Sequence, residues 1–120
     1  MNVSFPNRKD KPRKPAWEHI DQSPLRRGLH CVQGIINLSN AGPDDGGLVV
    51  YPGSHLLNDE FFDTATDKST WDPLDRYMFE KEQLEWFTAK GIHPKKVCAE
   101  VGDLILWDSR TIHYLSLIHI

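Results

Sequence analysis

Apolar and polar residues alternate in short runs along this chain, and clusters of turn formers separate the runs. In residues 29–40 (LHCVQGIINLSN), Val32, Ile36 and Leu38 fall on one side of an extended segment, and Gln33 and Asn37 on the other. That pattern predicts a strand. Residues 41–47 (AGPDDGG) are dense in turn formers, and Asp45-Gly46 predicts a hairpin. Its return strand is 48–54 (LVVYPGS), ended by Pro52 and Gly53. Residues 95–101 (KKVCAEV) and 104–110 (LILWDSR) predict two further strands about a tight turn at Gly102-Asp103. Two helices interrupt the series. One covers DEFFDTA, with Asn58 as its cap and Asp59 and Glu60 in its first turn. The other covers 80–91 (EKEQLEWFTAKG): Leu84 and Phe87 share a face, Lys90 sits in the last turn, and Gly91 takes the C′ position.

Short strands joined by turns, with a helical insertion at 56–94, favour a sandwich or jelly roll over a βαβ sheet. The expected fold class is mainly β with a helical insertion. Four clear strands are too few to close a barrel, so edges and an apolar face should stay exposed. The chain therefore reads as part of a domain, spanning 16–114, behind a basic arm at 1–15.

Composition narrows the classes. At 120 residues, 39% hydrophobic and 26% charged, the chain suits at most one ordinary globular domain. A net charge of -3 and a pI near 6.0 carry no nucleic-acid signal. Arg8, Lys9, Lys11, Arg13 and Lys14 cluster among Pro6, Pro12 and Pro15, as a solvated arm or an anion-binding one. Cys31 and Cys98, isolated in apolar runs, are expected to be buried thiols, which favours a reducing compartment and a cytoplasmic location. No run reaches the length of a membrane span, and the first twelve residues lack the apolar stretch of a secretory signal. The expected partner is a small-molecule substrate, with neither nucleic acid nor membrane.

The last six residues, LSLIHI, are rich in strand formers. They are also the translation of CTG TCT CTT ATA CAC ATC, the end of a widely used sequencing adaptor. Residues 115–120 are therefore expected to be a non-native tail, with His119 outside the chemistry. A native strand is the alternative.

Candidate chemistry begins at residues 17–21, WEHID. In an extended segment, side chains at i and i+2 point to the same side, so His19 and Asp21 can reach one cation together. Two histidines and one carboxylate, with open positions opposite, are the ligand set of non-haem Fe(II) oxygenases. Spacing alone leaves His30, His55, His93 and His113 as third-ligand candidates. It also leaves open that His19 and Asp21 are a hydrogen-bonded surface pair. Gln33 and Asn37 could line a cleft or satisfy backbone groups at a barrel edge. Trp17 could be a substrate wall or packing at a barrel mouth. Trp107 is expected in the core, Asp44 and Asp45 in a turn, and Arg110 beside Asp108.

Three blocks in order, WEHIDQSP, HCVQGIINLSNAGPDDGGLVVYPGSH and VGDLILWDSRTIHY, resemble successive blocks of the phytanoyl-CoA dioxygenase-like family over roughly residues 16–114. The resemblance implies a partial double-stranded β-helix, a jelly roll, and an Fe(II)- and 2-oxoglutarate-dependent oxygenase. It implies His19, Asp21 and His113 as the metal ligands, and His55 as structure around the cleft. Gln33 and Asn37 become candidates for the 2-oxoglutarate side of the cleft, and Trp17 for the substrate side. The family also places a basic residue, usually Arg, a short way past the distal histidine, paired with the far carboxylate of 2-oxoglutarate. No Arg or Lys follows Arg110 here. The expected function is accordingly a fragment of a dioxygenase that hydroxylates a small organic substrate, with this 120-residue chain itself inactive. The alternatives are a non-catalytic binding module of the same fold and a metal-free scaffold or carbohydrate-binding jelly roll. The insertion at 56–94 is the expected seat of specificity.

Overall fold

A computed structural model describes residues 16–116; the basic arm at 1–15 and residues 117–120 of the tail lie outside the described residues. The described strands are β1 (His19–Ile20), β2 (Val32–Ile36), β3 (Gly47–Val50), β4 (Tyr77–Met78), β5 (Lys95–Lys96), β6 (Leu104–Asp108) and β7 (His113–Ser116). The helices are α1 (Asn58–Ala65) and α2 (Lys81–Thr88). One antiparallel sheet has the order β4-β1-β7-β3-β5, and β2 and β6 form a second. Among the described residues the chain is thus mostly β with few helices, jelly-roll-like and without a closed barrel.

The predicted hairpins are corrected by the pairing. β2 pairs with β6, Val32 opposite Asp108 through Ile36 opposite Leu104. β3 pairs instead with β5 and β7. The turn at 41–47 therefore carries the chain from one sheet to the other. The turn itself is present: Asp45 N–H donates to the Gly42 carbonyl and the Asp45 carboxylate accepts from Gly42 N–H. A turn signal is local and says nothing about the partner, which is chosen by what each strand buries. Gly102, at φ +90, makes the second crossing in a conformation that disfavours other residues. The strand expected over 95–101 shrinks to Lys95–Lys96 plus one bridge between Ala99 and Ala41.

The helical insertion packs on one face of the larger sheet. Phe61 and Phe62 of α1, Phe87 of α2, and Ile20 and Ile112 from the sheet are all at most 1% exposed. Phe61 stacks edge or tilted against Phe62, Phe79, Trp86 and Phe87, with centroids 5.0–5.5 Å apart. α1 takes no side-chain cap: Leu57, not Asn58, is its N-cap, because the chain enters it straight from a 3-10 turn at Ser54–Leu57. α2 is punctuated at both ends. Glu80 and Gln83 form a capping box. Gly91 is left-handed at φ +84, and Gly91 and Ile92 N–H donate to the Thr88 and Phe87 carbonyls, which is a Schellman ending.

The apolar side of β2 points outward. Val32 and Ile36 are 55% and 66% exposed, and across the ladder Leu104 and Leu106 are 59% and 60% exposed. Cys31 and Cys98 are exposed as well, contrary to the expectation of buried thiols. Both flank ladders rather than sit inside them, where an apolar run is no guide to depth. Among the described residues no helix is long and apolar enough to cross a membrane. Leu115 and Ser116 continue β7 opposite Leu48 and Gly47.

Candidate metal centre

Strand alternation builds the site on the face of the larger sheet away from the aromatic core. In β1, Ile20 enters the core, so His19 and Asp21 turn the other way. β7 runs antiparallel beside β1 with His113 directly opposite His19. Ile112 and Tyr114 pack toward the core, so His113 faces the same side as His19. Asp21 is fixed just past β1 by its N–H, which donates to the Ser109 carbonyl at 3.0 Å.

The three side chains meet. One ligand atom from each of His19, Asp21 and His113 lies within 4.8 Å of the others. His19 Nε2 is 3.6 Å from Asp21 Oδ1, and His113 Nε2 is 3.3 Å from Asp21 Oδ2. Each Nδ1 is 2.9 Å from a carbonyl, of Trp17 for His19 and of Thr111 for His113. A carbonyl only accepts, so each Nδ1 carries a proton and each Nε2 faces the carboxylate. Both Nε2 atoms and the carboxylate thus converge on one point. A metal cation at that point would be reached by all three side chains.

Both histidines are buried, and Asp21 is half-buried. Hydrogen bonding to His113, then His19, holds the Asp21 carboxyl well below the usual carboxylate range; burial opposes this and Gln33 reinforces it. Gln33 Nε2 donates to Asp21 Oδ2 at 2.7 Å, which fixes the amide's orientation. Trp17 stacks on His19, centroids 4.5 Å apart and planes 8° from parallel. Trp107 meets His113 edge-on at 5.3 Å. A cavity of about 310 Å³ opens over the triad, walled also by Ile35, Arg76 and Leu115. That volume is at the small end for organic-ligand sites.

The sequence reading places Trp17 and Gln33 at this site, and both line the cavity. Asn37 does not. It lies beyond the end of β2, is half-buried, and donates to the Ser39 carbonyl. The alternation that put it beside Gln33 ends with the ladder at Ile36. Trp107 is likewise corrected: it is half-buried in the cavity wall rather than in the core. An apolar run such as LILW does not reveal which side of its sheet is filled. Of the other histidines, exposed His30 bonds the Arg27 carbonyl, His93 is exposed and His55 is half-buried; none joins the triad. Arg110 forks onto Asp108 as expected, at 2.7 and 3.0 Å. Arg76 was not singled out from the sequence. It follows a polar loop, DPLD, that carries no chemical signal.

Two imidazoles and a carboxylate gather on one side of an open cavity, a donor set compatible with Fe(II). The comparison with known sequences agrees. The family model described as phytanoyl-CoA dioxygenase matches residues 6–114, and the chain belongs to that family. It is 36% identical over 119 residues to "Ava biosynthesis cluster protein O" of Aspergillus versicolor, covering 95% of this chain and 38% of the relative. It is 30% identical over 82 residues to a Dictyostelium discoideum protein titled "Putative phytanoyl-CoA dioxygenase", covering 68% of this chain and 21% of that relative. The chain thus spans well under half the length of these curated relatives. No solved structure matches it significantly. Within the sequence no Arg or Lys follows Arg110, and Arg110 is engaged with Asp108.

Proposed function

We propose that this chain carries the iron-binding part of an Fe(II)- and 2-oxoglutarate-dependent dioxygenase that hydroxylates a small organic substrate. The observation behind this reading is the convergence of His19, Asp21 and His113 at the floor of a cavity, in a chain of the phytanoyl-CoA dioxygenase family. His19, through Nε2, Asp21, through a carboxylate oxygen, and His113, through Nε2, would hold the metal. Iron so held supplies the activation of oxygen that the side chains of the protein cannot perform.

The rest falls to the chain's own groups. The Trp17 and Thr111 carbonyls hold the two imidazoles in the tautomer that leaves Nε2 free. Gln33 holds one carboxylate oxygen of Asp21. Trp17 and Trp107 shield the two rings from water on either flank. Ile35 and Leu115 give the cavity apolar walls suited to an aliphatic or aromatic substrate.

The test uses the full-length protein with Fe(II), 2-oxoglutarate and oxygen, reading succinate. Asp21→Ala is expected to abolish iron-dependent succinate formation; turnover retained by that variant means the carboxylate is wrongly assigned. Metal bound in the wild type with no succinate formed would instead favour a non-catalytic binding module.

A further inference from the structure

Arg76 reaches the cavity from the loop before β4, inside the helical insertion. Its guanidinium carbon sits 5.6 Å from the centre of the Trp17 ring, and Trp17 in turn covers His19. Among the described residues, the other arginines are spent on carboxylates: Arg26 on Asp75, Arg27 on Asp63, Arg110 on Asp108. Arg76 has no such partner there. Its chain neighbour Asp75 turns away to Arg26 and to the Ser23 N–H. A guanidinium at a cavity rim therefore keeps its planar donor fork available, one ring away from the metal face.

A second donor in the same cavity wall is also unspent. Trp107 Nε1–H is buried and meets no acceptor among the described residues. Leaving a buried N–H unpaired costs free energy that a ligand oxygen would recover. Both groups only donate, and one is a fixed cation, so they match an oxyanion and repel an amine.

We propose that Arg76 anchors the carboxylate of an organic acid in this cavity, with the Trp107 N–H as a second donor to an oxygen of the same molecule. This rests on reading the cavity as the active site. The carboxylate has two possible sources, the 2-oxoglutarate co-substrate and an acidic primary substrate.

The experiment is calorimetric titration of full-length, Mn(II)-loaded protein, as wild type, Arg76→Gln and Arg76→Lys. The probes are 2-oxoglutarate, octanoate and, as a neutral match, octanamide. Loss of the charge-assisted fork should weaken at least one acid by about tenfold or more in Arg76→Gln, with partial recovery in Arg76→Lys. Octanamide should not respond. A loss confined to 2-oxoglutarate assigns the co-substrate; a loss confined to octanoate assigns an acidic substrate. Wild type that binds neither acid, acid affinities unmoved by Arg76→Gln, or an equal fall for octanamide would overturn the proposal. Octanoate titrated without metal separates this outcome from the iron reading: failure to bind Mn(II) sinks the triad while the Arg76 effect on octanoate stands or falls alone.

Discussion

The two sheets of this molecule are supported very differently. The five-stranded sheet has an aromatic core on its outer face, where Phe61, Phe62, Phe87, Ile20 and Ile112 are almost fully buried. The β2–β6 sheet has nothing over its outer face among the described residues, and Val32, Ile36, Leu104 and Leu106 stand in solvent. The inner faces of both sheets line one cavity. The His19–Asp21–His113 triad comes only from the supported sheet and the segment just after β1, where packing fixes the backbone beneath it. Gln33 and Trp107 come from the bare one. The triad should therefore be the robust part of the site, and the opposite wall the part that depends on further covering.

The largest way to break this contrast is Phe61→Ala. It removes a ring that touches four other aromatic side chains, and should cost about 3–5 kcal/mol in urea unfolding. A loss under about 1 kcal/mol would mean the helical layer does not support the sheet.

A smaller effect belongs to Asp108, at the end of β6. The Arg110 guanidinium holds its carboxyl below the usual range. A depressed acid stabilises the fold above its unfolded value near pH 4, and that contribution is lost as pH falls through the folded value. Unfolding midpoints followed downward from pH 7 should drop less steeply in the acid range for Asp108→Asn than for wild type. Parallel curves would show that the pair contributes nothing there.

The smallest effect is expected on the bare face. Ile36→Thr with Leu104→Thr should change the stability of the 120-residue chain by no more than about 0.5 kcal/mol, while reducing its aggregation. A cost of several kcal/mol would show that this face is covered.

The sequence makes some of this readable and not the rest, for physical reasons. Helix α2 is visible because its signals are local: Glu80, Gln83 and Gly91 act within a few residues of their own positions. The His19–Asp21 pair is visible because two residues apart on an extended chain is a geometric statement. The choice of His113 over His30, His55 and His93 is not local, and came only with the resemblance of three ordered blocks. Strand pairing failed for the same reason. The 41–47 segment does turn, at Gly42–Asp45 rather than at Asp45-Gly46, yet β2 and β3 part to different sheets because burial, not the turn, selects partners. Faces failed too: alternation separated Gln33 from Val32 but could not say which side was covered. Trp107 and Arg76 become site residues only once a cavity exists for them to line.

The central claim is that His19, Asp21 and His113 bind one metal ion together. Crystals of the full-length protein soaked in Mn(II) and measured for anomalous scattering test it most directly. One anomalous peak bonded to both Nε2 atoms and an Asp21 carboxylate oxygen is the predicted result, and it should vanish in His113→Ala. A fully soaked wild-type crystal with no peak among these three side chains would contradict it.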